Sequence, residues 1–173
     1  MANYKEIIPF ILKAEGGWVN DPSDSGGETN KGITYRTWKS FFGDTHERFM
    51  KMYQDDWNQI YKTLYWDKIK GDDINSQKLA NIMVDWVWGS GFAYPPAHLQ
   101  IVLNEMGNNL TVDGSIGKMT IQALNKVNEQ KLWDRLVKDR FDFLDDIVKK
   151  NPKNQKFLQG WKNRMNNLIK FCS

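Results

Sequence analysis

Four residues near the start of the chain have the types and spacing for carboxylate chemistry on a polysaccharide: Glu15, Asp21, Asp24 and Thr29. Cleaving a glycosidic bond asks for two carboxyl groups, one to protonate the leaving oxygen and one to hold water or steady the cationic sugar. Glu15 follows Leu12 by three positions and Ile11 by four, so it sits at the end of the apolar face of its helix rather than on the wet side. A carboxyl group that is partly desolvated keeps its proton closer to neutral pH, which is what a general acid needs. The plain alternatives are a solvated Glu at a helix end and Asx-turn roles for the two aspartates.

The elements that must position these residues are helical. Residues 4–14 place Tyr4, Ile7, Ile8, Ile11 and Leu12 on one face, with Asn3 as N-cap, Glu6 three residues on, and Pro9 as a kink or as the true start. Gly16-Gly17 stops the helix, and the polar stretch from Trp18 to Gly32 reads as an ordered loop or β-ribbon. Thr34 caps a short helix that Gly43 ends, and one or two helices fill 45–66. Ser76 caps a helix carrying Leu79, Ile82, Met83, Trp86 and Val87 that stops at Gly89-Ser90-Gly91. Further helices are expected at about 97–106, 117–127 and 129–149, and after Pro152. No alternating strand of useful length occurs, so the expected fold is mostly α. Pro95-Pro96 suggests a seam between a catalytic lobe, 1–94, and a helical lobe, 95–173, packed as one body.

Composition narrows the chemistry. A chain of 173 residues, 40% hydrophobic and 26% charged, is an ordinary folded domain. A net charge of +3 is too small to suggest a nucleic-acid partner but suits an anionic polymer. One cysteine, Cys172, permits no internal disulfide, and two histidines, His46 and His98, stand too far apart for a zinc site. No metal and no cofactor is therefore expected. The apolar runs fall short of the roughly 18 residues that span a bilayer, so no membrane span is expected. The first residues lack the pattern of a signal peptide, so the expectation is synthesis in the cytoplasm and non-classical, for example holin-like, release to the wall. A monomer is expected. Most of the 8 tryptophans should be core, with a minority, Trp18 among them, lining a sugar groove.

Three tempting motifs fail. Asp21-Pro22-Ser23-Asp24-Ser25-Gly26 opens like an EF-hand loop, but its twelfth position is Gly32 where a bidentate Glu is needed. Gly114-Ser115-Ile116-Gly117-Lys118 lacks the first glycine of a P-loop, and Gly89-Ser90-Gly91 lacks the third glycine of a dinucleotide site.

Glu15-Gly16-Gly17-Trp18-Val19-Asn20-Asp21-Pro22, followed by Gly26-Gly27-Glu28-Thr29-Asn30-Lys31-Gly32-Ile33-Thr34, resembles the signature of glycoside hydrolase family 108, bacterial and phage N-acetylmuramidases that include secretion activator proteins. Leu99-Gln100, Val112-Asp113-Gly114-Ser115-Ile116-Gly117, Thr120, Ala123-Leu124-Asn125, Gly160-Trp161 and Arg164 resemble the predicted peptidoglycan-binding region that accompanies it. The resemblance implies a lysozyme-like fold, a catalytic lobe with a β-ribbon plus a C-terminal helical lobe, acting on peptidoglycan strands. It implies cleavage of the β-1,4 bond between N-acetylmuramic acid and N-acetylglucosamine, with Glu15 as acid. Phage-type lysozymes, which the family resembles, keep eight residues between their Glu and Asp and five between Asp and Thr. That spacing selects Asp24, with Asp21 its rival, and lands on Asn30, while the Gly-Gly-x-Thr context selects Thr29. Trp18, Asp21 and Asn30 are the implied substrate contacts. Two other readings stand beside this one: a catalytically silent peptidoglycan binder that assists secretion, and a lytic transglycosylase.

Overall fold

Apolar residues at helical spacing carry most of the chain into α-helices, and the computed structural model, which describes residues 1–20 and 27–173, contains only one small hairpin besides them. Two compact units divide the chain: Tyr4–Asp67, and Met1–Asn3 with Lys68–Ser173.

In the first unit α1, Tyr4–Ala14, buries Ile7, Ile8, Phe10 and Ile11. It starts at Tyr4 and runs through Pro9; the proline is exposed, so the ring and the missing N–H fall on the wet side, where their cost is least. Strands β1, Thr29–Asn30, and β2, Ile33–Thr34, pair antiparallel with Thr29 opposite Thr34 and Asn30 opposite Ile33. The two-residue loop between them has φ of +46° at Lys31 and +79° at Gly32. Positive φ at both central residues is the type I′ hairpin signature, whose twist matches that of the strands. Three helices follow: α2, Tyr35–Phe42; α3, His46–Lys51; and α4, Gln54–Tyr61. The Thr34 hydroxyl caps α2 by accepting from the Thr37 N–H at 3.2 Å, and Gly43 ends it at φ +76°. Helix α4 widens into a π-turn over Lys62–Trp66, closed by the Asp67 N–H donating to the Lys62 carbonyl at 2.8 Å. Trp38, Phe49, Trp57, Ile60, Tyr61 and Trp66 form the core with the α1 face.

The second unit holds α5, Gln77–Ser90; α6, Pro95–Glu105; α7, Lys118–Lys126; α8, Glu129–Lys150; and α9, Gln155–Phe171. Ser76 caps α5 and Asn128 caps α8, each by accepting an N–H three residues on. The Pro95-Pro96 pair is the first turn of α6, where the absent N–H groups have no helical partner to lose. The compact units divide earlier in the chain than that pair, between Asp67 and Lys68. Helix α5 lies in this second unit, and its Asp85 is fully buried and ion-paired to Arg140 on α8, at 2.5 Å, and to Arg164 on α9, at 2.7 Å.

Candidate active site

Glu15 lies one residue past α1, and its N–H still donates to the Ile11 carbonyl at 3.1 Å, so the helical ladder fixes its backbone. The residue is half-buried. The chain then crosses Gly16 and Gly17 to Val19, whose N–H donates to the Thr29 carbonyl and whose carbonyl accepts from the Thr29 N–H, both at 2.8 Å. Thr29 is therefore the middle of three short extended segments, with Val19 on one side and Thr34 on the other. This double bond ties the segment that follows Glu15 to the hairpin. Trp18, next to Val19, is 46% exposed, a ring left open to solvent in a chain that buries five of its tryptophans at 7% exposure or less, Trp38, Trp57, Trp66, Trp86 and Trp133.

Thr29 and Asn30, the two candidates for one role, go separate ways. Asn30 is 4% exposed, and its Nδ2 donates to the Phe49 carbonyl at 2.8 Å and the Met50 carbonyl at 3.0 Å. Lys31 Nζ adds a bond to the Met52 carbonyl at 2.9 Å. These are carbonyls at the C-terminal end of α3, which have no partners within the helix, and a cation suits that end. Asn30 and Lys31 thus anchor the hairpin to α3. Thr29 is half-buried and carries no such anchor in its side chain. Asp21 and Asp24 lie outside the described residues.

Three groups near this site were not singled out from sequence. Glu28 joins His46 at 2.5 Å, and its carbonyl accepts from the Tyr35 N–H at 2.8 Å, so it fastens the hairpin to α2 and α3. The Tyr35 hydroxyl donates to Asp44, and that bond, with burial and the charges of Asp44 and Glu28, pushes its pKa up to about 12. Tyr65, on the π-turn, is half-buried; burial first, and then the charge of Glu15, raise its phenol above the ordinary range. The signal for Tyr65 was present in the sequence as the spacing Trp57, Tyr61, Tyr65, one ring per helical turn. Among the described residues no group of three or more His, Cys, Asp or Glu side chains stands together as a metal site. No described helix is long and apolar enough to cross a membrane.

Two family models match the chain. The model for glycosyl hydrolase 108 matches residues 8–91, and that for a predicted peptidoglycan domain matches 94–166. The chain is thus similar to a glycosyl hydrolase 108 region followed by a predicted peptidoglycan domain. Its fold is similar to that of Brucella abortus SagA, with a TM-score of 0.77 and 26% identity over 97% of this chain and 92% of that one. No curated protein matches. The chain is mostly α and lysozyme-like with a C-terminal helical lobe, and the matches support a peptidoglycan-related role, as hydrolase or as binder. The region matched by the family model ends at residue 91 and includes α5, whereas the compact unit that holds Glu15 ends at Asp67. Family region and packing unit are different divisions of this chain.

The peptidoglycan-domain motif Val112 to Gly117 is organised by one buried side chain. Gln100, 2% exposed, donates to Asp113 Oδ1 at 2.9 Å, the Ser115 carbonyl at 3.0 Å and Thr120 Oγ1 at 3.3 Å. Its Oε1 accepts from the Asp113 N–H at 3.0 Å and the Gly114 N–H at 2.9 Å. Gly114 turns the loop at φ +71°. The Asp113 carboxyl is held below the usual carboxylate range by the Gln100 amide and the Ser115 N–H. The motif's polar groups face one another, so its residues specify a loop shape.

Proposed function

We propose that the chain hydrolyses peptidoglycan, cutting the β-1,4 bond between N-acetylmuramic acid and N-acetylglucosamine. Glu15 is the proton donor, Asp24 the second carboxylate on its sequence spacing, with Asp21 the alternative, and Thr29 the hydroxyl beside it. The observation that carries the reading is the placement of Glu15: a half-buried carboxyl at the end of an amphipathic helix, its backbone held by Ile11, with the following segment paired to Thr29. A carboxyl group on a half-buried residue whose backbone is fixed can reach a bound glycan and pass it a proton.

Glu15 gives its proton to the glycosidic oxygen as the bond to C1 breaks, and the second carboxylate takes a proton from the water that adds to C1. The leaving sugar departs with a hydroxyl, and Glu15 recovers its proton from solvent. Thr29 is preferred to Asn30 for the hydroxyl role because Asn30 has its amide fixed on α3. The open Trp18 ring suits the apolar face of a pyranose, and the net charge of +3 suits an anionic wall polymer.

Digestion of purified peptidoglycan and of defined glycan chains, analysed by mass spectrometry, tests the proposal. Products with N-acetylmuramic acid at new reducing ends are expected, and Glu15→Gln abolishes their release. Anhydro ends identify a lytic transglycosylase instead, and binding without any release identifies a silent binder.

A further inference from the structure

Thr45, His46, Glu47, Arg48, Lys51 and Tyr53 line one open cavity of about 480 Å³ in the unit that holds Glu15, a size that suits a small ligand. Its wall carries both signs of charge. Arg48 is the fixed member: its Nε and Nη2 donate to the buried Asp56 at 3.0 and 2.5 Å, and its guanidinium lies 4.9 Å from the Phe42 ring centroid and 6.0 Å from that of Trp38. This pairing leaves Nη1 and its two N–H groups outside it, on a side chain that stays half-exposed. A planar fork held in place before binding loses little freedom when a carboxylate arrives. Lys51 Nζ and Glu47 pair at 2.8 Å one helical turn apart, both open to solvent, and an exposed ion pair is weak enough to exchange its partners. Thr45 Oγ1 accepts from the Trp38 indole N–H at 3.0 Å, so its own proton is left to donate. Tyr53, exposed, adds an aromatic wall that ends in a hydroxyl.

The cavity is joined directly to the candidate active site. His46, in its wall, bonds Glu28 at 2.5 Å and packs edge-on against Tyr35 at 5.1 Å between centroids. Glu28 is the residue before Thr29. We propose that this cavity binds the peptide stem of peptidoglycan, with a stem carboxylate on Arg48 and Lys51 and the stem amine on Glu47. This rests on the chain acting on peptidoglycan. Stems hang from the muramic acid next to the bond to be cut, and they carry free carboxylates together with the amine of a diamino acid. A ligand of both signs matches a wall of both signs, whereas Glu47 would repel the phosphates of a purely anionic polymer. An extended peptide advances roughly 3.3–3.6 Å per residue, so a short stem is long enough to pass from Thr29 over Glu28 to His46, which one peptide bond and one hydrogen bond connect.

The probe is a free stem tetrapeptide, L-Ala-γ-D-Glu-L-Lys-D-Ala, titrated into the full 15N-labelled chain and followed by NMR. Backbone amides between Thr45 and Tyr53 should shift and saturate together, and the same peptide with its carboxyl groups amidated should bind at least about tenfold more weakly. Lys51→Gln should weaken the wild-type affinity about threefold, and Arg48→Lys about tenfold, since lysine keeps the charge and loses the fork. No saturable shift at 45–53 overturns the proposal, and so does equal binding of the amidated peptide. Inorganic phosphate that binds these amides as tightly as the peptide also overturns it, making the cavity a general anion site. If Arg48→Lys folds poorly because Asp56 loses its partner, Lys51→Gln still decides, and an unchanged affinity there counts against the stem. Failure of the hydrolase reading is distinct, because peptide binding is read without turnover: the wild type would then release no reducing ends from purified peptidoglycan, whatever the titration gives.

Discussion

One carboxylate from each compact unit, Glu15 and Asp85, stands in opposite surroundings. In the unit Tyr4–Asp67, Glu15 stands half-open at a helix end. In the other, Asp85 is fully buried between two guanidinium groups, accepting from Arg140 Nη2 at 2.5 Å and from Arg164 Nε at 3.2 Å and Nη2 at 2.7 Å. Burial alone would drive Asp85 toward its neutral form; the charges of Arg140 and Arg164 outweigh it and hold the carboxyl below its usual range. A carboxylate locked in one protonation state joins α5, α8 and α9 and can do no acid chemistry. A carboxyl with one side open can exchange a proton with a substrate. The difference in surroundings separates a structural acid from a candidate catalytic one more clearly than residue type does.

The largest expected effects come from exchanging the two acids for their amides. Glu15→Gln should lower hydrolysis of purified peptidoglycan by about 10² to 10⁴ with no loss of stability, since it removes a proton and leaves the shape. Asp85→Asn should do the reverse, costing about 3–5 kcal/mol in urea unfolding, because two buried guanidinium groups lose their counter-charge. Its pH dependence has a fixed sign. A folded-state pKa below the unfolded value, about 3.9 for Asp, stabilises fully above that value and ceases to do so as pH falls through the folded one. The gap between wild type and Asp85→Asn should therefore be constant near neutral pH and close below about pH 4. An equal gap at pH 2 and pH 7 would contradict the ion-pair account.

Helices were legible because their signals are local. The caps Thr34 and Ser76, the stops Gly43 and Gly91 and the 3.6-residue periods all lie within a few positions of what they control. The hairpin was legible only as an ordered ribbon, since Lys31 at positive φ is unusual for a residue with a side chain. What the sequence hid depends on contacts between distant positions. Asn30 matched the strict family spacing, yet its amide belongs to α3, 19 and 20 residues later. Gln100 drew notice only as part of a motif, although it organises the loop 13 to 15 residues on. Tyr65 had the spacing of a core stack, and its half-buried state is a tertiary fact. The seam expected at Pro95-Pro96 lies beside the boundary between the two family matches, which end at 91 and start at 94, while the compact units divide between Asp67 and Lys68.

A smaller effect is expected at Gln100. Gln100→Ala removes five hydrogen bonds at a residue that is 2% exposed. Two of the abandoned groups are backbone N–H donors, so the expected cost is about 2–3 kcal/mol. The Asp113 carboxyl, without the amide that lowers it, should titrate higher. If the loop 112–117 serves as a scaffold, glycan affinity should fall only in proportion to the unfolded fraction. A large loss of affinity in fully folded Gln100→Ala would instead put the loop itself on the glycan.

The smallest effect is expected at Cys172, the chain's one thiol. Its sulfur accepts from Asn81 Nδ2 at 3.6 Å, and burial raises its pKa, so the thiol stays protonated and weakly nucleophilic. Cys172 also ends α9, but by its backbone, with its N–H donating to the Leu168 and Ile169 carbonyls at 3.0 and 3.2 Å. Substitution by serine leaves that backbone cap untouched and offers Asn81 a hydroxyl acceptor of similar size. The change in stability should therefore be small, within about 1 kcal/mol. Turnover should be unchanged, because Cys172 and Glu15 belong to different compact units. Measured by urea midpoint and peptidoglycan hydrolysis side by side, a loss of rate in folded Cys172→Ser would show that chemistry is not confined to carboxylates, and the contrast between Glu15 and Asp85 would no longer be enough to locate it.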